Sequence, residues 1–177
     1  MTGLWIPGFL AGTLFIMFFS WWLSIKEKRY HGIYRFFAFE SILLLILLNA
    51  RVWFKNPFSV LQLISWLLLT ASLFVAIYAF YLIKSVGKPK GKFENTTKLV
   101  VTGLYKYIRH PMYLSLLLFG SGAYIKHIGY LTSVLMAVIV VALYLTAITE
   151  EGEMIRKFKG QYRNYMKKTR MFIPYLY

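Results

Sequence analysis

The sequence predicts an all-α protein that is built into a membrane, with about five transmembrane helices. Of its 177 residues, 59% are hydrophobic, against about 45–50% in an average soluble domain. The hydrophobic residues form long runs with few charges, and several runs reach the roughly 20 residues that a helix needs to cross a bilayer. The basic residues cluster between these runs. We therefore expect one polytopic membrane domain.

The predicted elements follow one another along the chain. We expect spans at residues 4–25, 33–54 and 58–83, with the tryptophans near the ends of the first span as interfacial anchors (Trp5, Trp21 and Trp22). Residues 84–94 form a connector rich in Lys, Gly and Pro. Residues 111–124 are a shorter apolar segment of about 21 Å. A Lys126–His127 turn joins this segment to a fifth span at residues 128–149.

The last part of the chain changes in character after residue 149. Apolar and aromatic residues recur at helical spacing, while basic residues cover the opposite face, which predicts an interfacial helix that continues from the fifth span. The single domain 1–177 thus divides into three N-terminal spans (1–83), a connector (84–110), a helical hairpin (111–149) and a C-terminal cytoplasmic or interfacial helix (150–177).

The distribution of positive charge predicts the orientation in the membrane. Eighteen of the 21 lysines and arginines lie in the loops after the first and third spans, at the start of the second span and in the C-terminal tail, and three lie on the other side. Because cytoplasmic loops carry the excess of Lys and Arg, we expect the N-terminus outside and the C-terminus in the cytoplasm. Charge that is confined to loops disfavours nucleic-acid binding.

Composition also excludes several kinds of chemistry. The chain has no cysteine, so it forms no disulfide and has no thiolate nucleophile. It has no aspartate, the usual Mg²⁺ ligand of phosphoryl-transfer enzymes. The three histidines are far apart in sequence and do not have the spacing of a metal site.

The corner Arg109-His110-Pro111 is the first candidate site. It lies where a loop with a glycine and several tyrosines meets the fourth apolar segment, and Pro111 is suited to the first turn of a helix. The structural alternative is a helix start whose Arg binds lipid phosphate. The functional alternative is a ligand site, because Gly103 and Tyr105 would add backbone donors and an aromatic surface.

Two sets of acidic residues are further candidates. Glu150 and Glu151 leave the fifth span at the same predicted membrane face as the corner, either as a ligand site or as ordinary partners of the basic tail. Glu40 lies inside the second span, where a carboxylate is costly. It could serve a transporter, pair with Arg51 or Arg35, or contribute to a substrate site.

These motifs resemble the isoprenylcysteine carboxyl methyltransferase superfamily, which consists of small integral-membrane methyltransferases related to phospholipid N-methyltransferases. The pattern L-V-x-x-G-x-Y-x-x-x-R-H-P-x-Y is matched by Leu99, Val100, Gly103, Tyr105, Arg109, His110, Pro111 and Tyr113. Downstream features of the family are matched by Glu150, Glu151, Phe158, Tyr162, Tyr165 and Ile173-Pro174. The resemblance covers about residues 90–177.

The resemblance implies S-adenosylmethionine as the cofactor. The residues implied to bind it are Thr97, Lys98, Leu99, Val100, Gly103, Tyr105, His110, Pro111, Met112, Tyr113 and Glu150. We assign catalytic roles to Arg109, Glu151 and Glu40, and no metal is expected. A carboxylate such as Glu150 could offset the positive charge of the cofactor.

One departure from the family pattern concerns the methyl acceptor. Members that act on prenylcysteine carboxylates carry an arginine one turn before the glutamate, and this chain has Thr146 there. Without that arginine a carboxylate acceptor would lose a bidentate clamp. The R-H-P-x-Y element and the C-terminal residues are also similar to those of membrane sterol reductases, which use NADPH but generally have Asn where this chain has Met112.

The sequence therefore predicts an S-adenosylmethionine-dependent methyltransferase that acts on a lipophilic small molecule, with membrane lipids around it. O-methylation of a carboxyl or hydroxyl group is favoured. A sterol-reductase-like enzyme, a phospholipid N-methyltransferase and a small transporter that uses Glu40 are the alternatives, and the oligomeric state is left open. The central expectation is geometric: Glu150 and His110 should converge at the cytoplasmic face around one ligand.

Overall fold

The computed structural model describes residues 5–24, 26, 29–91 and 95–174. The predicted end residues 4 and 25 of the first span, parts of the two polar connectors, the side chain of Trp5 and the tail residues 175–177 lie outside this description. The described helices are α1 (Trp5–Leu23), α2 (His31–Asn49), α3 (Val60–Ser85), α4 (Pro111–Ile125), α5 (Tyr130–Phe158) and α6 (Gly160–Lys168). Short 3₁₀ turns lie at Ala50–Val52 and Gly103–Lys106.

The all-helical membrane fold is confirmed. Four of the described helices, α1, α2, α3 and α5, are long and apolar enough to cross a membrane. The helix α4 has 15 residues and a length of about 22 Å, so it falls short of a hydrocarbon core about 30 Å thick. Its pairing with α5 forms the predicted hairpin.

The helices pack in a definite order. The helix α1 packs on α2, α2 packs on α5, and α3 packs on α4, with further contacts between α4 and the α2–α5 pair. The centre of the bundle is filled by small and branched side chains: Ala38 and Leu45 from α2, and Ile139 and Leu143 from α5. Such residues let apolar helices approach closely in a membrane.

Polar side chains link the helices at points where the backbones are close. The Ser72 hydroxyl of α3 donates to the Ser115 carbonyl of α4 at 2.8 Å. The Ser65 hydroxyl donates to the Gly122 carbonyl at 2.7 Å. Hydrogen bonds of this kind stabilise helix pairs in a membrane by about 0.6 kcal/mol on average, so they fix the register of α3 against α4.

The turn after α4 carries more structure than the sequence predicts. The turn itself is confirmed, because α4 ends at Ile125 and α5 begins at Tyr130. The Lys126 side chain is buried, with its Nζ atom 3.7 Å from the centroid of the Trp66 ring and 2.8 Å from Gln62 Oε1. The ammonium group therefore ties this end of α4 to α3.

The structure differs from the prediction after the fifth span by a break at Lys159. The sequence analysis ends this span at residue 149 and has a helix continue from it, and α5 does run without a break to Phe158, with the acidic pair inside it. Glu, Met, Lys and Arg are good helix formers, so the polar segment extends the helix. The chain turns at Lys159, which has a positive φ of 50°, and α6 then runs as a separate helix. The interfacial position of α6 stays a prediction.

The α3–α4 contact generates a prediction. A Cβ atom at Gly122 would lie 2.9 Å from Leu69 Cγ and 3.1 Å from the Ser65 carbonyl oxygen. Gly122→Val should therefore separate the two helices and lower the free energy of unfolding by about 1–3 kcal/mol, measured by denaturant titration in detergent. Gly8→Ala is the control, because a Cβ atom there meets no atom within 4 Å. Equal stability of G122V and wild type would contradict the proposed close contact.

Candidate active site

The local fold of the loop before α4 places Arg109 and His110 at the start of that helix. Gly103 has a φ of 59°, and a Cβ atom at this position would lie 2.7 Å from the Tyr78 hydroxyl, so the turn requires a glycine. Pro111 occupies the first position of α4, where its missing N–H costs nothing. The glycine and the proline of the motif thus fix the backbone before and after Arg109 and His110.

The C-terminal tail folds back and pairs with the corner. Ile108 and Arg170 form an isolated parallel bridge. The Arg109 backbone N–H donates to the Arg170 carbonyl at 2.7 Å, and the His110 N–H donates to the Met171 carbonyl at 3.1 Å. The tail therefore satisfies backbone donors that precede a helix. These hydrogen bonds hold the corner in place.

The helix α6 supplies two buried tyrosines to the same place. The Tyr165 hydroxyl donates to the Tyr105 carbonyl at 2.7 Å, and the Tyr162 ring lies 5.7 Å from the Tyr165 ring. Burial raises the pKa of Tyr162 and of Tyr165 above the usual tyrosine value. Both hydroxyls therefore stay protonated and act as neutral hydrogen-bonding groups.

Arginine, histidine and glutamate side chains form one cluster between the corner and α5. Arg109 Nε donates to Glu151 Oε1 at 2.5 Å, and Arg109 Nη1 donates to the Thr169 carbonyl at 2.6 Å. His110 Nε2 lies 3.2 Å from Glu151 Oε1, and His110 Nδ1 lies 3.6 Å from Glu150 Oε2. The expected convergence of His110 and Glu150 is confirmed, and Glu151 joins the corner to α5.

The pKa of His110 is raised above the usual histidine value. Burial alone lowers this pKa, but the carboxylates of Glu150 and Glu151, one at each ring nitrogen, raise it by more. The ring of Tyr113 stacks on the imidazole with its centroid 5.3 Å away. The two carboxylates therefore favour the protonated ring, and because each ring nitrogen faces one of them, neither nitrogen is open to a substrate.

A cavity of about 290 Å³ opens beside this cluster. Its volume is near the lower end of the range for small-molecule sites. Polar side chains of its lining include Tyr105, His110, Glu150 and Tyr162. Most of the other lining residues are apolar, and they come from several helices. They include Phe19, Phe39, Ala76, Met112, Leu116 and Met154, with Arg35 among them.

The cavity brings together only part of the predicted set. The predicted residues that line it are Leu99, Val100, Tyr105, Arg109, His110, Met112, Tyr113 and Glu150. Gly103 and Pro111 do not line the cavity and instead set the backbone conformation of the corner. Thr97 and Lys98 are exposed on the connector, where the Thr97 hydroxyl donates to the Lys88 carbonyl at 2.8 Å. Glu151 acts through Arg109 and His110. The functional roles of these residues stay predictions.

Glu40 does not line this cavity. Its Oε1 atom accepts a hydrogen bond from the Thr13 hydroxyl at 2.6 Å, which links α1 to α2, and its Oε2 atom is buried without a hydrogen bond among the residues described. Glu40 is not among the lining residues. The structure thus separates Glu40 from the residues grouped with it in the sequence analysis, and its catalytic role stays a prediction.

The sequence analysis did not identify the cavity residues contributed by the first two helices. Arg35, Phe19 and Phe39 come from α1 and α2, which have no recognisable motif. The one available signal is an arginine in a largely apolar helix, followed at position i+4 by an aromatic residue. The sequence analysis also missed a contact between α2 and α5, in which His31 Nδ1 lies 3.0 Å from Glu153 Oε1.

The fold and the cavity define a class of protein: an integral membrane bundle with a charge cluster and a cavity where its short helical hairpin begins. The chain belongs to the phospholipid methyltransferase family, whose sequence model matches residues 60–161. This segment covers α3, the corner, the hairpin and the start of α6.

The chain is also similar to the protein named methanethiol S-methyltransferase 1 of Bradyrhizobium diazoefficiens. The two sequences are 27% identical over 171 residues, which covers 89% of this chain and 59% of that protein. The chain thus spans about three fifths of the length of this relative.

The charge cluster generates a prediction on the pH dependence of stability. Because the pKa of His110 is raised in the folded protein, the stabilisation from its charge is complete below about pH 6.5, the ordinary histidine pKa. It is lost as the pH rises through the raised pKa. The unfolding-temperature difference between wild type and His110→Gln should therefore be largest at acidic pH and shrink on alkalinisation.

The matched control is His127→Gln, because His127 is exposed in the α4–α5 turn. This replacement should produce no comparable trend in thermal unfolding measured in detergent. A wild-type-to-H110Q difference that grew with increasing pH would show that the imidazole is neutral in the folded protein.

Proposed function

We propose that this protein transfers a methyl group from S-adenosylmethionine to a lipophilic small molecule. The observation that carries the proposal is a cavity lined both by charged and aromatic side chains of the corner and by apolar side chains of the helices. Membership of the phospholipid methyltransferase family supports the reaction class.

The polar side chains that line the cavity fit the chemistry of S-adenosylmethionine. The cofactor carries a sulfonium and an ammonium group, and the Glu150 carboxylate lines the cavity with 27% of its side chain exposed. The aromatic rings of Tyr105 and Tyr162 also line the cavity and can face a cation. Leu99 and Val100 would cover apolar parts of the nucleoside.

When bound, S-adenosylmethionine supplies a methyl group on a positively charged sulfur, and the lone pair of the acceptor forms the new bond while the carbon–sulfur electrons stay on sulfur. The protein's own contribution is alignment and the exclusion of water. Arg109 and Glu151 contribute by holding the corner and α5 at a fixed separation, and Tyr162 of α6 adds a buried aromatic ring to the lining.

We propose that the acceptor enters from the membrane and contacts the apolar side chains of the cavity. The finer proposal is O-methylation of a carboxyl or hydroxyl group, as the sequence analysis favours. The name of the Bradyrhizobium relative indicates a thiol acceptor for that protein, so methyl transfer to a small thiol is the matched comparison. Assays of detergent-solubilised protein with labelled cofactor should therefore compare a carboxylic acid, a phenol and a thiol of similar size.

Cofactor binding provides the direct test of the proposal. S-adenosylmethionine should bind the purified protein in isothermal titration, and Glu150→Gln should weaken this binding about 10- to 100-fold, because a hydrogen bond or contact to a charged group contributes about 1.5–3 kcal/mol. Thr149→Ala is the control, since the Thr149 hydroxyl donates to Leu145 within α5 and does not line the cavity.

Two results would overturn the proposal. Binding of NADPH in place of S-adenosylmethionine would assign the cavity to a reductase. If neither molecule binds, and if Glu40→Gln abolishes substrate flux in proteoliposomes, the results would favour transport.

The proposed orientation can be tested with single cysteines, because the native chain has none. Lys106 and Lys55 are exposed in loops predicted to lie on opposite faces of the membrane. In intact cells, a membrane-impermeant maleimide should label Lys55→Cys and leave Lys106→Cys unlabelled, and permeabilisation should make both reactive. Labelling of K106C in intact cells would place the corner outside the cytoplasm.

A further inference from the structure

We propose that His31 is a positioning residue for the cofactor site, because its hydrogen bond to Glu153 fixes the rotation of the polar end of α5 and so directs Glu150 into the cavity. This inference rests on the proposed function, in which the Glu150 carboxylate binds S-adenosylmethionine. It assigns a part in cofactor binding to α2, which lies outside the segment that the family model matches.

The contact between His31 and Glu153 is a largely buried hydrogen bond between distant parts of the chain. His31 is the first residue of α2, with 2% of its surface exposed. Its Nδ1 atom lies 3.0 Å from Glu153 Oε1 and 3.1 Å from Glu153 Oε2. Because an ionised carboxylate only accepts hydrogen bonds, Nδ1 carries a proton and is the donor. The start of α2 is therefore attached to α5 beyond the predicted end of the fifth span.

The helical positions of the three glutamates explain why this contact affects Glu150. With 3.6 residues per turn, Glu151 lies about 100° from Glu150 on one side of the helix axis, and Glu153 lies about 60° away on the other side. Arg109 binds Glu151, and His31 binds Glu153. Glu150 therefore lies between two residues that are held from different sides, so a rotation of α5 in either direction would break one of these contacts.

The face of α5 that these contacts orient is the face that meets the cavity. Glu150 and Met154 are four residues apart, so they lie on one face of the helix, and both line the cavity. Neither His31 nor Glu153 is among the lining residues. His31 would thus act through the orientation of α5, and not through contact with the ligand.

The start of α2 is itself held in place and can therefore fix α5. A Cβ atom at Gly32 would lie 2.5 Å from Ser24 Cβ, so the first turn of α2 is in close contact with the chain that leaves α1. The Arg29 side chain donates a hydrogen bond to the side chain of Asn95 in the connector. His31 thus lies in a turn that contacts the end of α1, the connector and α5.

The charges of α5 give a second reason for a contact at Glu153. Glu150 and Glu153 are three residues apart, a spacing at which like charges on a helix repel each other. The His110 ring lies 3.6 Å from Glu150, and His31 donates to Glu153 and is within electrostatic range of Glu150. The two histidines therefore offset the repulsion and allow acidic side chains to stay together beside the cavity.

The test is a double-mutant cycle on cofactor binding. The binding of S-adenosylmethionine to purified protein in lipid nanodiscs is measured by isothermal titration for wild type, His31→Leu, Glu150→Gln and the double variant. His31→Leu should weaken binding about 3- to 30-fold when Glu150 is present. In the Glu150→Gln background, the same replacement should change binding by less than about twofold, because the charge that His31 positions has been removed.

A second comparison separates hydrogen bonding from packing. His31→Asn keeps an N–H donor at the same number of bonds from the backbone as Nδ1, whereas His31→Leu keeps more of the side-chain bulk. The Asn variant should therefore bind S-adenosylmethionine more tightly than the Leu variant. The control is Arg156→Gln, which removes an exposed charge from the polar end of α5 outside the cavity. It should leave binding unchanged within about twofold.

The outcomes separate this inference from the proposed function. If wild type does not bind S-adenosylmethionine, the proposed function is wrong, and the inference that rests on it fails with it. If wild type binds the cofactor and H31L binds it equally well, or if H31L weakens binding equally in both backgrounds, the role of His31 alone is overturned. Tighter binding by H31L than by H31N would also overturn it. If H31L does not fold, Glu153→Ala replaces it in the cycle, and unchanged binding by E153A would overturn the inference.

Discussion

The bond between Arg109 and Glu151 is the constraint on which the rest of the site depends. It joins the loop before α4 to the polar extension of α5 at 2.5 Å, and the same guanidinium group binds the Thr169 carbonyl in the tail. Three segments that are distant in sequence therefore meet at one charged group. Removing one partner of a buried ion pair leaves an uncompensated charge, so the geometry of His110 and Glu150 depends on this contact.

The helix arrangement brings side chains from distant parts of the chain to one cavity. The hairpin of α4 and α5 carries the charged corner at the end where α4 begins. The first three helices add Phe19, Phe39 and Ala76 to the lining. The lining residues of the corner and the hairpin lie in the segment that the family model matches, whereas those of α1 and α2 lie outside that segment.

Several parts of the site could be predicted because they depend on local chemistry. Gly103 and Pro111 fix the backbone of the corner, and an R-H-P motif next to an apolar segment marks the start of α4. The acidic pair was recognisable from its position after a long apolar run. The break between α5 and α6 at Lys159 was missed, since the apolar residues keep their helical spacing across it.

The sequence by itself determined the all-helical membrane class, the short hairpin and the corner, because hydrophobic run length and turn residues act over neighbouring positions. Only the tertiary structure decided that Glu151 binds Arg109, that the tail at Arg170 and Met171 pairs with the corner, and that Arg35 lines the cavity while Glu40 does not. These relations depend on how helices rotate and cross. In a helix that is apolar on all sides, the sequence pattern does not show which face meets a neighbour.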